Sequence, residues 1–168
     1  MLDELRGRYE RLLEWIVIAL MAVLAVEVTV GVLFRTFGAS LVWYDEVASI
    51  LLAWLTFYGS ALAAIKRAHI GCPELVALLP AGGRVATRVL AELLVIAFFL
   101  LVGWTGYSVL EVLATDNLVS LPAIKVAWVQ SVVPISAALI ILAEALTLPL
   151  ALRQARAGHA GASGEATH

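Results

Sequence analysis

The sequence is short of charge, cysteine and histidine. Only 14% of its 168 residues are Asp, Glu, Lys or Arg, against roughly 25% in an average soluble domain. A net charge of −2 gives no basic footprint, so a nucleic-acid partner is not expected. One cysteine, Cys72, excludes a disulfide framework within the chain. The histidines, His69, His159 and His168, fall outside the long apolar runs. No axial ligand is therefore placed for a haem inside a span, and no His/Cys cluster for a structural metal. HExxH, GxSxG and a glycine-rich phosphate loop are absent. The reading is a non-enzyme with no catalytic residue, no metal and no cofactor.

What is present is apolar surface. Sixty-two per cent of the residues are apolar, and the mean hydropathy is +0.98. A water-soluble domain of this length cannot hide that much. Four runs approach the roughly 20 residues a membrane-crossing helix needs: Trp15–Phe34, Val47–Ile65, Leu93–Leu110 and Val126–Ala143. They are too long and too evenly apolar for β-barrel strands. Each extends by about a turn. This predicts an all-α integral membrane protein, one domain over 1–156, with spans of about 12–35, 46–66, 87–112 and 125–148. Short interfacial helices accompany them. One is predicted over residues 1–14, where Leu2, Leu5, Tyr9 and Leu12 share a face and Arg6 can pair with Glu10; the same stretch also reads as a solvated helix end that anchors span one, and this simpler reading is preferred. Another follows Pro73 and ends by Pro80. Residues 157–168 read as a disordered tail. The first span ends in bulky residues rather than a small-residue cleavage site, so it is expected to stay attached.

Lysine and arginine set the orientation. With the N-terminus in the cytoplasm, Arg6, Arg8, Arg11, Lys66, Arg67, Arg84, Arg88, Arg153 and Arg156 lie inside. Only Arg35 and Lys125 lie outside. Both termini are then cytoplasmic. Trp15, Trp43 and Trp128 fall at predicted interfaces, whereas Trp54 and Trp104 fall mid-span and are expected to pack between helices. Gly59/Ala63 and Gly103/Gly106 are small-residue pairs of the kind that let helices approach. Arg88 and Glu92 are four apart and should pair; Glu92, Glu111 and Glu144 sit at span ends and call for no special role.

Glu27 is the one charge inside a span. It lies seven residues from Phe34, roughly 10 Å below the outer boundary at 1.5 Å per residue. An intramembrane carboxylate is costly and raises a functional hypothesis, here a proton or cation site. The other reading is a protonated or hydrogen-bonded glutamate joining helices, or one that reaches toward Arg35 on nearly the same face. The connection Arg35–Glu46 (RTFGASLVWYDE) places Trp43 and Tyr44 at headgroup level. Asp45 and Glu46 follow on the first turn of span two, where a helix N-terminus favours negative charge.

An ordered set of features resembles the small membrane subunit of TRAP (tripartite ATP-independent periplasmic) transporters, the DctQ-like family. An arginine closes span one (Arg35), then comes Trp43 with Asp45 and Glu46. Span two carries Trp54, Phe57 and Gly59, and its exit is Lys66, Arg67 and His69. Leu121-Pro122 precedes span four, and Pro134 lies within it. Thr36 stands where the family often has an aromatic, and Glu27 does not map onto the family pattern. The resemblance implies an accessory scaffold in the bacterial inner membrane. It would brace a large many-span permease subunit while that subunit's transport domain moves in an elevator-like manner. A periplasmic substrate-binding protein would deliver the substrate, usually an organic acid, and sodium coupling would belong to the large subunit. Membrane lipid would be the remaining contact. The partner-interface candidates are Arg35, Trp43, Asp45 and Glu46 at the outer face, with Arg35 pairing Asp45, Glu46 or the large subunit. Lys66, Arg67 and His69 would fix the inner end of span two. No substrate site is expected in this chain. The alternative is a stand-alone four-helix proton-coupled exporter that uses Glu27.

Overall fold

The computed structural model describes residues 2–39, 41–66 and 80–162. Arg67, His69, Cys72 and the helix expected after Pro73 lie outside the described residues, as do 163–168. Five α-helices occur among those described: α1 (Leu2–Thr36), α2 (Tyr44–Lys66), α3 (Ala81–Val112), α4 (Val126–Gln130) and α5 (Val132–Ala162), with a 3₁₀ turn at Leu113–Thr115. Four stretches are long and apolar enough to cross a membrane: Glu4–Thr36, Tyr44–Lys66, Val85–Thr115 and Val126–Leu148.

α1 has 35 residues, about 52 Å at 1.5 Å per residue, whereas the hydrocarbon core is about 30 Å. Residues 2–14 are therefore not a separate interfacial element. They continue span one as its polar end. No proline interrupts them, and side-chain contacts fix them to the end of α2. Lys66 Nζ hydrogen-bonds Glu14 Oε1 and lies 3.7 Å from Glu10 Oε1. Arg6 Nη2 donates to the Ile65 carbonyl at 3.3 Å. The Arg6–Glu10 pair suggested by spacing is replaced by these contacts, because α2 brings a closer cation to Glu10. Tyr9 donates its hydroxyl to the Leu139 carbonyl at 2.7 Å.

The fourth span has one irregular residue, Ser131, between α4 and α5; its backbone stays helical, its N–H bonds the Ala127 carbonyl at 3.0 Å and its carbonyl accepts from Ile135 at 3.2 Å, so the break is local. Pro134 has no N–H, and its ring crowds the carbonyl four residues back, which is enough to interrupt a helix. The Trp54 indole donates to the Val129 carbonyl beside the break at 3.0 Å, supplying a polar partner where hydrocarbon offers none. α5 then runs to Ala162. The first residues of the segment expected to be a disordered tail, 157–162, are helical.

The helices form a row. α1 packs on α2, α2 on α5, and α5 on α3, so α1 and α3 take the two edges. The core is thin and lies at the middle of the row, where Leu13, Ala61, Ala64, Ile65, Ile140 and Ala143 are buried together. A methyl on Gly106 would meet Val133 Cγ1 at 2.9 Å, and Gly103 faces Ala137, so this pair does seat α3 on α5. Gly59 has open space around it; α2 buries Ala61 and Ala64 instead. Trp54 packs edge-on to Tyr58. Trp104, expected between helices, is 77% exposed on the open side of α3, because an edge helix has no neighbour there.

Candidate partner interface

The site candidates separate into the two ends of α2 and one groove beside α1. At the Arg35 end, Gly38 turns the chain out of α1 with φ of +78°, a conformation that glycine adopts without strain. The chain returns at once into α2. Gly31 lets this corner close: a side-chain carbon there would collide with the Tyr44 ring. Glu46 accepts the Ser120 backbone N–H at 2.8 Å and that of Val119 at 3.3 Å. Ser120 Oγ donates to the Val42 carbonyl at 3.3 Å. These bonds latch the connection between spans three and four onto the start of α2. The connection is itself closed by backbone bonds from Leu118 N–H to the Ile124 carbonyl (2.9 Å) and from Val126 N–H to the Asp116 carbonyl (3.0 Å).

Arg35 is exposed at the end of α1 and forms no ion pair among the described residues. The expected intrachain pairing with Asp45 or Glu46 is therefore not made. Glu46 is already committed to two backbone donors, and among the described residues the Asp45 side chain pairs with no cation. Trp43 is part exposed. With Leu41, Tyr44, Val26 and Val30 it walls a groove of about 420 Å³ along α1.

Glu27 lies in that groove. Both carboxylate oxygens are shielded and accept no hydrogen bond. The Asp45 carboxylate is close enough to repel it. The reach toward Arg35 allowed by their spacing does not occur: no described residue donates to the carboxylate, although Trp43 and Tyr44 stand in the groove wall.

At the other end of α2, Lys66 ties α1 to α2 as described above. A second polar cluster, which reading the sequence passed over, lies between α2, α3 and α5. Arg88 Nη2 bonds Glu92 Oε1 at 2.5 Å, as the spacing suggested. The Glu144 carboxyl lies close to that of Glu92. All three line a cavity of about 370 Å³ with Ser60, Ala64 and Phe99. The signal was present: Glu92 and Glu144 each stand within about two turns of the same end of antiparallel spans, which puts them nearly level. The backbone partners of Glu46, by contrast, lie more than 70 positions away and carry no sequence signature.

No curated protein matches the chain. A family model does, described as tripartite ATP-independent periplasmic transporters, DctQ component, and it matches residues 24–154. The match runs from the groove-lining half of α1 through the corner at Trp43–Glu46 and all the later spans, and on this ground the chain belongs to the DctQ family, a membrane component of the TRAP transport system and not an enzyme family.

Proposed function

We propose that the chain is the small accessory subunit of a sodium-coupled TRAP-type secondary transporter. It braces a large many-span permease subunit in the bacterial inner membrane. It also helps a periplasmic substrate-binding protein dock for organic-acid uptake. The observation that carries this reading is the open row of helices. A four-span transporter needs a path enclosed between its own helices, whereas here two edge helices leave broad apolar sides uncovered. α1 exposes Ile18, Met21, Val23 and Val26, and α3 exposes Leu94, Phe98, Leu101 and Trp104. Contiguous exposed apolar surface of this kind marks contact with lipid or with another membrane protein.

The ends of the row suit a brace. By the positive-inside rule, the end holding Arg6, Lys66 and Arg88 faces the cytoplasm, so both termini do. Lys66, with Arg67 and His69 beyond it, fixes that end of α2. The latched corner at Glu46 and Ser120 then faces the periplasm. It presents Arg35, Phe37, Val42, Trp43, Asp45 and Val119 to a docking protein or to the large subunit, and Phe37, Val42 and Val119 are the most exposed large apolar residues among those described. The exporter alternative is not favoured by the family match.

Affinity purification of the tagged chain from its native membranes tests the reading. A stoichiometric many-span partner is expected, and the pair reconstituted with a binding protein should take up substrate only with sodium outside. Charge reversal at Arg35 should reduce subunit recovery or uptake. Isolation of the chain alone or as a homodimer overturns the accessory reading. Transport by the chain alone that is abolished by E27Q would establish the exporter.

A further inference from the structure

Glu27 presents a physical problem that the chain does not solve. An unpaired buried carboxylate costs several kcal/mol. Both of its oxygens are shielded and without a hydrogen bond. The groove around it is lined by Ala22, Val23, Val26, Val30, Leu41, Trp43 and Tyr44. Asp45, another acid, is near enough to repel it. Among the described residues no cation reaches it, and neither Trp43 nor Tyr44 in the wall donates to it, so a donor from outside this chain would complete the site.

Depth decides between two sources of that donor. Glu27 lies nine residues before Thr36, the last residue of α1, so it is about 13 Å below the helix end at 1.5 Å per residue. A lipid amine rides at the headgroup level and would have to be drawn deep into the acyl region to reach it. A lysine or arginine on a membrane-spanning helix can be placed at any depth. The groove lies on α1, an edge helix whose apolar stretch is only 6% buried within the chain. Val23 and Val26 flank Glu27 and are more than half exposed, so a helix can lie against them.

We propose that Glu27 is the acceptor for a basic side chain carried by a membrane-spanning helix of the large transporter subunit, seated in the groove between α1 and the Trp43–Tyr44 corner. This rests on the accessory-subunit reading and adds to it which edge of the row meets the partner and which residue selects it. Two acids without a cation ask for a charge rather than a hydroxyl. Before assembly the carboxyl is a liability; in the assembled complex it specifies register, because only one position along the partner helix satisfies it.

The test uses the tagged full chain in native membranes as wild type, E27Q and E27K, together with a photo-crosslinking amino acid at Val26. Recovery of the large subunit should fall at least tenfold with E27K and by a smaller factor with E27Q. Val26 should crosslink to the large subunit. The chain purified alone should melt no lower as E27Q than as wild type, since an unsatisfied charge has been removed. Reversing the basic residue nearest the crosslink to glutamate should restore recovery with E27K. Wild-type recovery with E27K overturns the proposal and leaves the accessory reading standing. So does a crosslink to lipid alone, or a lowered melting temperature of isolated E27Q, which would show that Glu27 works within the chain. Absence of the large subunit from the wild-type preparation overturns both.

Discussion

α1, at an edge of the row, and α4–α5, inside it, are the first and last spans of the chain, and they reverse the usual link between apolarity and burial. The span in α1 has a mean hydropathy of 2.7, yet 6% of it is buried within the chain; for α4–α5 the values are 2.1 and 28%. In water the more apolar helix goes inside. In hydrocarbon the surroundings are as apolar as leucine, so close fit rather than hydrophobicity selects the seam. The buried face of α5 accordingly uses Ser136, Ala137, Ile140, Ala143 and Thr147. The branched and bulky residues of α1 face outward. The most hydrophobic surface of the chain is what it offers to others, and its internal contacts run along small residues.

The largest effect should come from crowding the middle of the row. Ala61 is fully buried where α2 meets its neighbours. Ala61→Leu should cost about 1–3 kcal/mol, as overpacking of a filled core does, and should lower the melting temperature of the detergent-purified chain. Val23→Leu on the open face of α1 should change stability by less than about 0.5 kcal/mol. Equal losses at the two positions would break the comparison.

A smaller effect is expected at Gly31, where α1 meets the start of α2. A methyl there must push the Tyr44 ring aside. Because the obstacle is one side chain, Gly31→Ala should cost about 1 kcal/mol, the scale of a displaced rotamer. A double-mutant cycle checks this: in a Tyr44→Ala background the glycine substitution should become nearly neutral. An unchanged loss in that background would show that backbone, and not the ring, sets the approach.

Smaller again in overall stability, but sharp locally, is the latch at Glu46. Glu46→Ala removes the acceptor for two backbone N–H groups. The connection 113–125 keeps its own backbone bonds, so global melting should shift little. A cysteine placed at Leu118, which is 8% exposed in the latched connection, should react faster with a membrane-impermeant maleimide in the Glu46→Ala chain than in wild type. An unchanged rate would mean that the short backbone closure alone holds the loop.

These positions also show how far the sequence could be read. Four spans, their order and the Arg88–Glu92 pair follow from periodic, local features, because an apolar run of 18–20 residues has few alternatives and an i,i+4 pair is set by one helix. The row arrangement does not follow, since hydropathy ranks α1 highest and says nothing of which helix it touches. Trp104 illustrates the difficulty: a mid-span tryptophan looks the same whether it faces a helix or an open side. Arg35 and Glu46 illustrate another. Both lie close in sequence and opposite in charge, but backbone donors from Val119 and Ser120 reach Glu46 first, and unpaired backbone groups are present in every loop. Glu27 was legible as unusual from its position alone, while the lack of a hydrogen bond to it, with Trp43 and Tyr44 in the same groove, needed the neighbouring chain segments in place.

The smallest expected effect is at Lys66, and it separates two kinds of contact within the row. Lys66 bonds Glu14 and lies near Glu10, with all three side chains roughly one-third or more exposed. Exposed pairs gain little over their hydration, and salt weakens them further. Lys66→Met keeps most of the aliphatic stem that covers the end of α1, so only the charge is lost. A slight fall in melting temperature is expected at low salt. It should vanish near 1 M salt, where the Debye length is about 3 Å. The loss from Ala61→Leu should be the same at both salt concentrations, because steric overlap is not screened. If the Lys66→Met loss persists at high salt, the contact is shielded from solvent in the folded chain, and the polar end of α1 is held by more than surface charge. In that case the first turns of α1 belong to the rigid part of the row, and the groove at Glu27 is fixed from both ends of its helix.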